Sequence, residues 1–223
     1  MNSVAHWRIL LLCTLLMAQP VLATADTPLP PTDGLVQRSI AGFDQAWLSP
    51  ELSMAEHPQV IVDPVKVGFD ASWISRYNRD KRAIGQQLDQ SELDRIAARM
   101  AAEFDPAFSD SLQRRLDSQS GSGQPEIRIV PRLLELELSH VDLPSAARTE
   151  VWVARAGSAM LVLEFHRVSD DRLLGWAMDR RETRENRPFR RANRAFNQAE
   201  FRLLFQSWAS STGKLLMTAN QKG

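Results

Sequence analysis

Three consecutive stretches of this chain alternate apolar with other residues, and only a sheet satisfies that pattern. From Glu126 to Leu138, Ile127 and Ile129 alternate, the phase shifts around Pro131, and Leu134, Leu136 and Leu138 resume it. Gly157 to Val168 and Leu173 to Arg180 follow. A period of two puts every second side chain on one face, so each stretch reads as a half-buried strand. The phase shift predicts a bulge near Pro131. Ser169-Asp170-Asp171-Arg172 is a polar turn that makes the last two stretches a hairpin.

Helical spacing brackets these strands. Phe201, Leu204, Phe205 and Trp208 stand at i, i+3, i+4 and i+7 within a segment from about Arg191 to Trp208, with Gly213 as a stop. Earlier, Leu93, Ile96, Met100 and Phe104 form one apolar stripe behind a capping box, Asp89-Gln90-Ser91-Glu92. Asp105-Pro106 is expected to end that helix and start a further turn carrying Phe108, Leu112 and Leu116. Ser118 to Gly123 reads as a flexible hinge. A first strand runs from Gln59 to Phe69, where Pro64 removes one ladder donor and predicts an edge position or a bulge near Asp63-Pro64. Residues 70–88 are polar and are expected to wander over the surface.

The order β-α-β-β-β-α implies an α/β fold of the α+β two-layer kind. It predicts a mixed sheet of about four strands with both helices packed on one face. Residues 1–25 read as a cleavable export leader: His6 and Arg8, a short apolar run from Ile9 to Met17, Pro20, and Ala23-Thr24-Ala25 as the cleavage site. The run is about half the ~20 residues of a spanning helix. Residues 26–41, with Pro28, Pro30 and Pro31, read as a mobile arm; 42–217 form one domain and 218–223 a tail. Gly42-Phe43 and Trp47-Leu48 are apolar enough to clip the arm to the domain.

Lys and Arg number 27 against 27 Asp and Glu, and the leader removes one Arg, Arg8, and no acid. Such a balance leaves no global field to draw nucleic acid, so any electrostatic function rests on a local patch. The one cysteine, Cys13, lies in the leader behind Leu10-Leu11-Leu12, without the small residues that precede a lipidated cysteine. Without the leader the chain is thiol-free, which excludes a disulfide scaffold, a thiol nucleophile and cysteine-ligated zinc. A periplasmic location without a lipid anchor follows from these features.

No catalytic set converges. Ser120-Gly121-Ser122-Gly123 has no buried strand before it and reads as a linker rather than a nucleophile elbow. Beyond the leader the histidines are His57, His140 and His166, without metalloprotease spacing. Glu164 and His166 share a strand face, and a turn can bring Asp170 or Asp179 near, but two ligands make a weak site. Glu135 and Glu137 are spaced like a glycosidase pair, yet the neighbouring leucine alternation assigns them to the wet face. Glycine-rich phosphate loops are absent, and no cofactor or metal is implied.

The segment from Asp179 to Arg194 holds seven arginines against three acids. Arg180, Arg181, Arg184, Arg187, Arg190 and Arg191 are its candidate binding residues for an anionic partner, because guanidinium forks grip carboxylates and phosphates. A solvated loop with interleaved acids is the competing reading. Of the tryptophans past the leader, Trp176 and Trp208 fit core stripes, whereas Trp152 stands just before the hairpin, where the common core role of tryptophan competes with an exposed contact.

The chain resembles the exported bacterial proteins grouped as domain of unknown function 3313, many of them envelope lipoproteins. The matching stretches are Val60-Ile61-Val62-Asp63-Pro64-Val65-Lys66-Val67, Gly157-Ser158-Ala159-Met160-Leu161-Val162-Leu163-Glu164, Leu173-Leu174-Gly175 with Asp179-Arg180-Arg181-Glu182, and Asn197 through Phe201 to Trp208-Ala209. They span roughly residues 40–217. The chain departs from relatives in lacking their lipidated cysteine and in its hairpin turn, Val168 to Arg172. The resemblance implies an envelope location and an α/β domain, and brings no catalytic residues. The reading is therefore a non-enzymatic binding or accessory domain of the envelope. The alternative is an envelope-directed hydrolase or metal-assisted enzyme using Glu164 and His166.

Overall fold

The computed structural model describes residues 28–52, 60–117, 126–141 and 150–220. The leader, His57, the Ser118–Gly123 hinge and residues 221–223 of the tail lie outside them. The chain is an α+β two-layer fold, as the alternation and helical spacing predict. Its main sheet has seven strands rather than about four. In chain order they are β1 (Val36–Gln37), β2 (Gln45–Leu48), β3 (Val60–Val62), β4 (Lys66–Phe69), β5 (Ile127–Leu138), β7 (Gly157–Arg167) and β8 (Leu173–Glu182). A separate two-stranded ribbon joins β6 (Trp152–Val153) to β9 (Arg190–Arg191). The helices are α1 (Ala71–Lys81), α2 (Gln90–Asp117) and α3 (Arg194–Asn220).

The extra strands have two origins. The segment from Gln59 to Phe69 splits, because Pro64 has no N–H to give and the Val65 N–H turns away to Asp105 Oδ1 at 3.0 Å. β3 and β4 therefore lie end to end along the same edge of β5, both parallel to it. At the far edge, the segment read as arm and clip supplies β1 and β2, and β2 pairs with β8 through Trp47 opposite Trp176. Gly42 makes this turn at φ +92, where a Cβ would come within 2.3 Å of Ser211 Oγ.

Pro106 does not end α2, which runs unbroken for 28 residues. An interior proline costs about 3 kcal/mol, and burial of Leu93, Ile96, Met100, Phe104, Phe108, Leu112 and Leu116 on one stripe outweighs it. Asp89 caps this helix by accepting from the Glu92 N–H at 2.9 Å. Gly213 does not stop α3 either. A Cβ there would sit 2.5 Å from Arg115 Cδ, so this glycine lets α2 and α3 approach closely. Phe104 meets Phe205 edge-on at 5.0 Å across that contact.

The polar stretch after β4 begins as α1. Asp70 caps it, accepting from Trp73 N and Ser72 Oγ at 2.5 Å each, and these bonds hold the Asp70 carboxyl below the usual aspartate range. Trp73 stacks on Phe69 and gives its indole N–H to Leu138 O at 3.1 Å. Asn78 then brackets Leu88 with two backbone bonds of 2.9 and 2.6 Å, which returns the chain to α2. Only Trp73, Ile74 and Tyr77 carry the apolar side of α1, too few for a periodic signal.

The β5 bulge falls four residues beyond Pro131. Pro131 stays in the ladder opposite Leu163, and the register shifts between Leu134 and Glu137, with Glu135 at φ +48. This changes which face each leucine serves: Leu133, Leu136 and Leu138 join the core beneath the helices, while Leu134 is buried outside that core.

Candidate functional site

Strand geometry disperses the arginine-rich segment. Arg180 and Arg181 are neighbours on β8, so pleating sends them to opposite faces. Arg180 pairs with Glu135, and its N–H donates to Asp44 Oδ2 at 2.9 Å. Arg181 is bound into the body: its Nε lies 2.5 Å from Asp179 Oδ2, and its Nη groups donate to Ser207 Oγ and Gly42 O at 2.8 Å each. Asp179 also accepts the Trp208 indole N–H at 2.6 Å. Burial pushes the Asp179 carboxyl up, against the opposing pull of Trp208 and Arg181. Arg184 pairs at 3.0 Å with Glu200, a buried carboxylate on α3.

The other three candidates lie on or beside the small ribbon. Trp152 stands opposite Arg191, and Val153 opposite Arg190. A backbone bond from Ala192 N to Val151 O continues the pairing on one side, and on the other Ala154 O takes the Asn186 N–H, leaving residues 187–189 outside the register; both bonds are 2.7 Å. The ribbon is anchored at its base. Arg155 spans Glu182 and Glu185 at 3.0 and 2.9 Å, and the buried Thr183 hydroxyl accepts from Ala156 N and Gly157 N at 2.9 and 3.2 Å. Arg191 reaches Glu150 at 3.1 Å and Arg187 reaches Glu185 at 2.8 Å. Arg190 has no acidic partner among the described residues. Arg184, Arg187 and Arg190 share an open cavity of about 320 Å³ with Glu185.

Two features of this ribbon bear on binding. Its segments 150–155 and 184–194 hold six arginines against two glutamates. Trp152 is 58% exposed, as one reading of the sequence anticipated, and Phe189 is 57% exposed. Sequence reasoning missed Phe189, although a lone phenylalanine inside Arg187-Pro188-Phe189-Arg190-Arg191 is a visible anomaly. On the inner side of the ribbon, a groove of about 550 Å³ runs past Val153, Arg155, Glu182, Glu137 and Arg76.

The Glu164 and His166 pair is engaged from within the protein. His166 Nε2 lies 3.2 Å from Glu164 Oε2, and Nδ1 lies 3.1 Å from the Asp171 carbonyl oxygen. The second Glu164 oxygen takes Arg132 Nη2 at 3.0 Å. Neither Asp170 nor Asp179 joins them: Asp170 pairs with Arg167 at 3.1 Å, and Asp179 holds Trp208. Among the described residues, no group of three or more potential metal ligands is gathered in one place. Glu135 and Glu137 are divided by the bulge, Glu135 going to Arg180 and Glu137 to Arg76 at 3.3 Å. No helix of the described residues is long and apolar enough to cross a membrane.

No family model matches the chain, and no curated protein is similar to it. Among solved structures it is similar to the PelC dodecamer from Paraburkholderia phytofirmans, at 10% identity and a TM-score of 0.35, over 84% of this chain and 95% of that one.

Proposed function

We propose that this chain is a non-enzymatic binding or accessory domain of the cell envelope, exported by its leader and engaging an anionic envelope component through the β6–β9 ribbon. The observation that carries the reading is the charge of the ribbon and the segments flanking it: six arginines against two glutamates in residues 150–155 and 184–194, on and beside a braced two-stranded scaffold. Arg180 and Arg181 serve the fold in this reading, and Arg187, Arg190 and Arg191 serve the partner. The resemblance to exported envelope proteins supports the compartment. Replacing Arg187, Arg190 and Arg191 together by Ser is expected to leave the circular dichroism and melting curve unchanged. The same variant is expected to partition off anionic envelope fractions at low salt, where exposed charges are least screened. Equal partitioning of the variant and the parent chain would discard the ribbon as the binding element.

A further inference from the structure

The ribbon carries more than charge. Among the described residues, Trp152 and Phe189 are the two most exposed large apolar side chains, one in this ribbon and the other immediately before its second strand. Trp152 sits directly opposite Arg191, so the two share a side of the ribbon. Phe189 immediately precedes β9, so its exposed ring stands within two residues of Arg191. The side chains of Arg191 and Arg187 are 57% and 82% exposed. A soluble polyanion needs the arginines alone. Two aromatic rings held in water beside them suit a partner that has an apolar layer just beneath an anionic surface.

We infer that the β6–β9 ribbon docks on the surface of an anionic phospholipid bilayer, with Trp152 and Phe189 entering the headgroup boundary and the exposed Arg191 and Arg187 resting on lipid phosphates. This rests on the anionic-partner reading above and names the partner's chemistry. Tryptophan is suited to that depth, because its ring is apolar while its N–H still needs a polar neighbour. Arginine stems lie along the apolar boundary while their guanidinium groups remain with the phosphates. Each basic residue near such a surface multiplies partitioning roughly fivefold, so two add to the anchoring of the rings without a spanning helix. The bonds of Thr183 and Arg155 brace the ribbon's base before contact, which limits the backbone ordering lost on docking.

The test is co-sedimentation of the protein with phosphatidylglycerol–phosphatidylcholine vesicles, with pure phosphatidylcholine vesicles, and, in parallel, binding to soluble polyphosphate. Binding to the anionic vesicles alone among the two is expected, and it should weaken as salt rises. The W152S/F189S double variant should bind those vesicles at least about tenfold more weakly, because two rings no longer leave water, with polyphosphate binding unchanged. Brominated acyl chains should quench the protein's fluorescence, and a W152F variant should lose most of that quenching, which a purely structural role for Trp152 does not predict. Polyphosphate binding with vesicle binding absent, or indifferent to the aromatic pair, overturns the bilayer inference and leaves the anionic-partner reading standing. Failure to bind either vesicles or polyphosphate removes both.

Discussion

The two faces of the main sheet are closed by different means. One face meets α2 and α3 through Leu133, Leu136, Leu161, Leu163 and Phe165 packed against Phe104, Phe108, Phe201, Phe205 and Trp208. The other carries Trp176, stacked on Trp47 at 6.4 Å, and a charged row of Arg132, Glu164 and His166. Its cover is the proline-rich segment: Pro30 is buried, Pro28 O accepts from Arg132 Nη1, and Pro31 O accepts from the Trp176 indole N–H, both at 3.3 Å. A helix layer offers continuous apolar area, so that face needs few polar groups. An extended strap offers little area but many free carbonyls, since proline carbonyls have no ladder to join. The strap therefore suits a face that holds its own donors.

That contrast can be broken or sharpened. The largest effect is expected beneath the helices: Phe205→Ala should cost about 3–5 kcal/mol, because close packing between two long helices leaves little room to collapse around the hole. Urea unfolding measures this, and a loss under about 1 kcal/mol would place Phe205 outside a tightly packed core. On the opposite face, the joint replacement Arg132→Met with Glu164→Met should change stability by no more than ~1 kcal/mol, because an ion pair exchanged for apolar residues of similar volume is close to neutral. Arg132 Nε already lacks a partner among the described residues, which lowers what the pair can contribute. A loss of ~3 kcal/mol or more would show the two faces to be equally demanding.

The smallest effect concerns the polar exception under the helices. Burial raises the Asp179 carboxyl above its ordinary value of 3.8. The folded chain thus holds that proton more tightly than the unfolded chain does. Its contribution to stability is fullest below the unfolded value and falls as pH rises through the folded one. Asp179→Asn keeps an acceptor for Trp208 and removes this titration, so the variant's stability relative to the parent should improve as pH rises from about 3 to 7. A relative stability that worsens over that range would mean that Arg181 and Trp208, rather than burial, set the carboxyl's behaviour.

Much of this architecture was legible in the residues themselves. The stripe of Phe201, Leu204, Phe205 and Trp208 marked α3, Asp89 marked the start of α2, and Pro64 marked the edge of the sheet. Other parts were not. β1 and β2 are too short to show a period, and α1 has only three large apolar residues, so both depend on what they pack against. The bulge was visible as a change of phase, but the reading placed it at Pro131, whereas pairing with β7 puts the register shift between Leu134 and Glu137. For the candidate site, the excess of arginine was plain, while its division was not. Strand alternation alone separates Arg180 from Arg181, once β8 is known to continue to Glu182.

By itself, the sequence determined the two-layer class, the helical stripes and the hairpin, because each is written in spacings of two, three or four residues that act over a few ångströms. Only the tertiary structure decided that Trp152 and Phe189 meet the arginines at one ribbon. That meeting joins residues 152 and 190–191 through backbone pairing, and hydrogen bonds between distant segments leave no period in the chain.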